Sequence, residues 1–86
     1  MSLVQTLKMR IDKFLKVSRV IKRRVVAKEA TEKGRILIND RVAKPGSKVS
    51  IGDIVTIKFA SKTLIIEITS LSEKQHDVMF RIVKEA

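Results

Sequence analysis

The chain has 86 residues, enough for one small domain, and at this length folding buries only about 60% of the unfolded surface. With no cysteine and a single histidine, disulfide staples and a zinc site are excluded, so packing must hold the fold. Nineteen Lys and Arg against nine Asp and Glu leave a net +10, beyond what solubility needs, which points to a polyanionic partner with nucleic acid foremost.

Residues 1–8 precede the first strong pattern. Leu3, Leu7 and Ile11 recur at helical spacing, so this segment reads either as a helix extension or as a flexible leader. From Arg10 to Val17 the spacing of Ile11, Phe14 and Leu15 predicts a short amphipathic helix, with Lys13 and Lys16 on its other side. A turn is expected over Ser18 to Ile21. A second helix is expected from about Lys22 to Lys33, with Val26, Ala27 and Ala30 facing inward and Gly34 as its stop. The period then changes to two. Ile36 and Ile38 predict a strand that ends at an Asn39-Asp40 turn, and Pro45-Gly46 and Gly52-Asp53 are further breakers. Alternation over Ile54 to Phe59 and the run Thr63 to Ile68 predict two strands joined by an Ala60-Ser61-Lys62 turn. A polar loop over Glu73 to Asp77 and a last strand over Val78 to Val83 complete the reading. Two helices followed by short strands make an α+β arrangement with no repeat or interdomain linker.

The charge is concentrated at one end. Ten basic and three acidic residues lie between Met1 and Gly34, giving +7, whereas Arg35 to Ala86 holds nine and six, giving +3. Asp12 is the one acid between Lys8 and Lys28. The candidate nucleic-acid-binding residues are Arg10, Lys13, Lys16, Arg19, Lys22, Arg23, Arg24 and Lys28. Arg24 and Lys28, at i and i+4, share a helix face and repel one another, a cost that phosphates would remove while releasing counterions. Ordinary surface helices mix signs, so a merely solvated basic face is the weaker reading. Arginine adds planar, multi-donor contacts, which makes Arg10, Arg19, Arg23 and Arg24 the geometric readers. Three Phe are the only aromatics, so stacking on exposed single-stranded bases is poorly provided for.

The run Arg10-Ile11-Asp12-Lys13-Phe14-Leu15, followed by Arg24, Ala27, Gly34, Ile36, Asn39 and Gly52-Asp53, resembles the S-four RNA-binding domain over about Met9 to Phe59. Residues 60–86 are then strands completing the same domain. The resemblance implies two N-terminal helices packed on a small twisted antiparallel sheet, the alpha-L motif, with RNA held on the helical pair. The stretch Arg10 to Arg24 is most similar to the small stand-alone members, the fifteen-kilodalton heat-shock protein group and the RqcP group of ribosome quality control. Such a resemblance implies a ribosome-associated factor; a cytoplasmic location is expected by elimination, since nothing reads as a signal peptide or membrane span, and a monomer is expected. It would bind large-subunit rRNA and peptidyl-tRNA on obstructed subunits, with Arg10 and Arg24 contacting RNA. The chain stops soon after its last predicted strand, which favours the RqcP group, because heat-shock members carry a longer basic extension. Two positions depart from the pattern. Arg23 stands where a helix-capping Ser is usual, forgoing a cap worth about 1 kcal/mol. Asp40 replaces the glycine of an Asn-Gly turn and must take a less comfortable backbone conformation.

Other residues carry less. His76 has no second ligand, so a solvated loop role outweighs metal binding. Asp53 reads as turn hydrogen bonding, Ser18 and Ser50 lack an activating histidine, and Met9, Met79 and Phe80 read as packing. No Walker-type phosphate loop is present. The expectation is therefore a non-enzyme with no cofactor, metal or small-molecule substrate. The alternative is the RNA-anchoring domain of an enzyme such as a pseudouridine synthase or tRNA synthetase, for which this length leaves no catalytic residues unless the chain is a fragment. A membrane-surface role is disfavoured, because the apolar stripe is short and a sheet follows that needs covering. Apolar runs of about four residues are far short of a membrane span.

Overall fold

Ile11, Phe14 and Leu15 are fully buried, and they recur on one side of α1 (Ile11–Val17). This helix is too short to stand alone, so its stability comes from what covers that stripe. The cover is α2 (Arg24–Glu32) on one side and the strands on the other. The computed structural model describes residues 8–73 and 78–86. The expectations for residues 1–7 and for His76 and its neighbours therefore lie outside the described residues, with only Lys8 and Glu73 of those segments inside.

Five strands form the main sheet: β2 (Ile36–Ile38), β3 (Arg41–Val42), β5 (Ile54–Lys58), β6 (Thr63–Ile68) and β7 (Phe80–Glu85). Their order is β3-β2-β5-β6-β7, and every pairing is antiparallel. Alternation sends Ile36, Val55, Ile57, Leu64, Ile66 and Ile68 to the face that meets Phe14, Leu15 and Ala27 in one core. The α+β layout expected from the sequence is the observed one.

A second, two-stranded ladder pairs β1 (Met9–Arg10) with β4 (Lys48–Val49), in the register Met9↔Val49 and Arg10↔Lys48. The Ile11 N–H donates to the Ser47 carbonyl at 2.7 Å, so the 44–47 loop ties down the start of α1. Sequence periodicity did not find this ribbon, since two-residue strands have no period to read.

Both helices close on left-handed residues. Gly34 (φ +73°) ends α2 in a Schellman motif, with Arg35 N–H on the Ala30 carbonyl and Gly34 N–H on that of Thr31. Arg19 (φ +68°) takes the corresponding place after α1, where a side chain is strained by about 1 kcal/mol. Asn39 (φ +50°) and Asp40 (φ +69°) form the turn between β2 and β3, the two positive angles of a type I′ hairpin.

Three expectations need correction. The second helix starts at Arg24 rather than Lys22, because Arg23 is extended and the connection is anchored by buried Ile21. Its inward face is Ala27 and Thr31, one turn apart, with Ala30 partly covered. Val26 is 46% exposed, swung off the contact line by the helical rotation. The last strand is displaced by two residues, to Phe80–Glu85. The Met79 carbonyl is taken by the N–H groups of Thr69 and Ser70, which holds Met79 in a loop, and pairing runs on to Leu64↔Glu85 past an irregularity at Ile65/Ile66.

Candidate nucleic-acid interface

The candidate interface is organised around an acid. Asp12 lies in the first turn of α1 beside the apolar stripe and is 2% exposed. Its carboxylate accepts from Arg10 Nε (3.2 Å) and Nη2 (3.0 Å), from Arg24 Nη2 (3.5 Å) and from the Lys13 backbone N–H (2.8 Å). The Arg10 contact is a two-nitrogen fork, the strong form of this interaction. Burial alone would push the Asp12 carboxyl upward. The Arg10 hydrogen bonds, the Arg24 charge and the Lys13 N–H outweigh it and hold the pKa below the ordinary 3.8. Asp12 is thus a fixed anion at neutral pH, joining the N-cap residue of α1 to the first residue of α2.

Arg10 and Arg24 are not consumed by this contact. Each side chain remains 48% exposed, so Asp12 fixes one edge of each guanidinium while much of each side chain meets solvent. A guanidinium has five N–H donors, and the fork to Asp12 engages two nitrogens, which leaves donors free for an oxyanion. Two arginines from different helices are therefore presented together, already oriented.

Three of the other candidate residues gather on a cleft that neither Arg10 nor Arg24 lines. Lys16, Arg19 and Lys22 line an open cleft of ≈ 460 Å³ with Val17 and Glu73. The left-handed turn at Arg19 places its side chain on that cleft rather than along the helix. Lys13 makes an exposed ion pair with Glu73 at 3.0 Å, so it is partly neutralised in the free protein, a pairing worth at most about 1 kcal/mol. Arg23, just before α2, and Lys28 on α2 are exposed, and no side-chain cap replaces the serine missing at Arg23. Among the described residues, Asp12 and Glu73 are the only acids ion-paired with these eight cations.

Asp12 is the residue of the candidate site that sequence reasoning passed over, noting it only as the one acid in a basic run. The available signal was its place: a lone carboxylate between Ile11 and Phe14 in the apolar stripe, where an unpaired charge would be costly. Asp53, by contrast, is structural as expected. It accepts from Asn39 Nδ2 (3.2 Å) and the Ser50 N–H (2.8 Å), while Asn39 Oδ1 accepts from the Ile54 N–H (2.9 Å). Among the described residues no group of three or more His, Cys, Asp or Glu could hold a metal ion, and no helix is long and apolar enough to cross a membrane.

Comparison with known proteins follows the same outline. The S4 (S-four) domain matches residues 9–55. The chain is similar to the RQC P-site tRNA stabilizing factor of Listeria monocytogenes, with 51% identity over 81 residues that cover 90% of this chain and 88% of that protein. It is also similar to the factor of the same name from Bacillus subtilis, with 46% identity over 81 residues, 90% of this chain and 94% of that one. Among solved structures it resembles Heat Shock Protein 15 of Vibrio cholerae, described as trimeric. The TM-score is 0.78 at 27% identity, covering 90% of this chain and 83% of the other.

Proposed function

The chain belongs to the S4 domain family, and from that premise we propose that it is an RNA-binding factor that holds P-site tRNA on the large ribosomal subunit during ribosome-associated quality control. It works by binding rather than by turnover. The observation that carries this reading is the presentation of Arg10 and Arg24 by a buried Asp12, within a helical face whose other cations, Lys13 apart, make no ion pair among the described residues. A surface of this kind grips phosphates: the flanking lysines supply field, and the fixed guanidiniums supply geometry. Arg10, Lys13, Lys16, Arg19, Lys22, Arg23, Arg24 and Lys28 are the proposed contacts to rRNA and to peptidyl-tRNA. The alternative, an RNA-anchoring domain of a modifying enzyme, is less favoured. Relatives matched along 88% and 94% of their own length bear the name of a stabilizing factor rather than of an enzyme.

The test is a salt titration of binding to large subunits that carry a P-site tRNA. If about five phosphates are neutralised, log affinity should fall against log salt with a slope of about −3.5 to −4.5. A slope near zero would remove phosphate contact as the basis of binding.

A further inference from the structure

Beyond the helices, the like-charged pair Arg10↔Lys48 stands in direct register across the β1–β4 ladder. Direct cross-strand partners point to the same face with Cβ atoms about 4.5–5.5 Å apart, and like charges placed so are destabilising. Here Met9 and Val49 turn inward and Arg10 and Lys48 turn out to solvent, so the repelling pair sits on the surface. The arrangement is held firmly. The Lys44 N–H donates to Ser47 Oγ and the Ser47 N–H to the Lys44 carbonyl, both at 2.9 Å, and the Ser47 carbonyl takes the Ile11 N–H.

Lys48 is also one wall of a groove of ≈ 690 Å³, whose lining includes Arg41, Asn39, Ser47 and Asp53. Arg41 and Lys48 are exposed, and neither makes an ion pair among the described residues, nor does neighbouring Lys44. The acid on the groove, Asp53, has one oxygen on Asn39 and the other on the Ser50 N–H. Asp40 stands in the adjoining turn, so the positive character is strongest at the Lys48 end, next to Arg10.

We infer that the RNA bound by the helical pair continues across the β1–β4 ribbon, and that Lys48 and Arg41 take a further stretch of its phosphodiester backbone in this groove. The inference rests on the RNA-binding reading of Arg10 and Arg24 and extends it to a second arm formed by residues 41–48. A phosphate between Arg10 and Lys48 would relieve the repulsion that the ladder otherwise carries, and the tied loop would require little ordering on binding.

The experiment compares two charge-matched pairs, with large subunits carrying P-site tRNA as the probe. Arg41→Ala with Lys48→Ala removes two cations at the groove; Lys62→Ala with Lys84→Ala removes two at the opposite edge of the sheet. The groove pair should lose on the order of tenfold in affinity and flatten the salt slope by about 1.4–1.8, while the distal pair should lose about twofold or less with the slope kept. Equal losses in the two pairs, or no loss at the groove, would overturn the inference. A parallel Arg24→Ala measurement separates the two failures. If Arg24→Ala weakens binding and the groove pair does not, only the groove is wrong; if neither matters, the RNA-binding reading itself falls. A single reversal, Lys48→Glu, gives a signature that a structural role would not. It creates an attractive pair with Arg10, so Tm should rise while RNA binding drops, and a variant with raised Tm and unchanged binding would overturn the proposal.

Discussion

Arg81 of β7 donates from Nε to Glu67 of β6 at 2.7 Å, and Lys62 pairs with Glu85 at 3.0 Å, so two cations at the outer edge of the sheet are met by acids beside them at the surface. Across α1 and α2 the balance is different. Asp12 and Glu73 alone among the described residues are ion-paired with eight cations, and Asp12 is buried with two arginines on it. The β6–β7 edge uses acids at the surface to pair two of its cations. The helical half uses one acid beneath the surface to aim charge, and leaves the repulsion of the rest to be relieved by a ligand. Net charge is consistent with a polyanionic partner, while the position of the acids is the basis for proposing the helical face as its site.

The largest expected effect that could break this contrast comes from Asp12→Asn. The variant keeps the shape but loses charge-assisted bonds to both arginines, at a cost of about 1.5–3 kcal/mol by denaturant unfolding, with weaker RNA binding. The pH dependence has a definite sign. Because the native pKa of Asp12 is lowered, its stabilisation is present above the ordinary value of 3.8 and lost as pH falls through the native value. The Asn variant should lack that contribution, and identical acid unfolding of the two proteins would contradict the role given to Asp12.

Arg10→Ala is next. It removes the fork but leaves Asp12 the Lys13 N–H and Arg24, so a loss of about 1–2 kcal/mol is expected together with weakened binding. Both stability and affinity must be read, since a deficit in affinity alone would confuse the two causes. Arg19→Gly sharpens the comparison by separating them. Glycine relieves the left-handed strain at φ +68°, so Tm should hold or rise by an amount worth up to about 1 kcal/mol while RNA affinity falls. The smallest effect is on the sheet side. Asp40→Gly should stabilise the β2–β3 hairpin by about 0.5–1 kcal/mol and leave the helical contacts to RNA untouched.

Periodicity was sufficient wherever an element is fixed by its own residues. The first helix ended at Val17, β6 spanned Thr63–Ile68 and α2 stopped at Gly34 as the spacing indicated, because apolar stripe, alternation and glycine each act locally. It failed where a distant partner decides. The β1–β4 ribbon depends on Ser47 meeting Ile11, the register of β7 is set by β6, and Val26 is exposed because Ala27 and Thr31 hold the contact with the rest of the fold. The site divides in the same way. The eight cations were visible as a run, but the link from Arg10 to Arg24 passes through Asp12 and needs both helices in place.

The central claim is that position, not net charge, makes the helical face the RNA surface. Arg24→Ala against Lys84→Ala tests it most directly, since each removes one cation and Arg24 contributes only the long 3.5 Å contact to Asp12. Co-sedimentation with large subunits carrying P-site tRNA is measured at physiological salt, where distant charges are screened over about 8 Å, and folding of each variant is checked by circular dichroism. Arg24→Ala should lose about tenfold in affinity while remaining folded, and Lys84→Ala should bind nearly as the parent does. Equal losses from the two folded variants would contradict the claim and leave general electrostatic attraction as the whole of the binding.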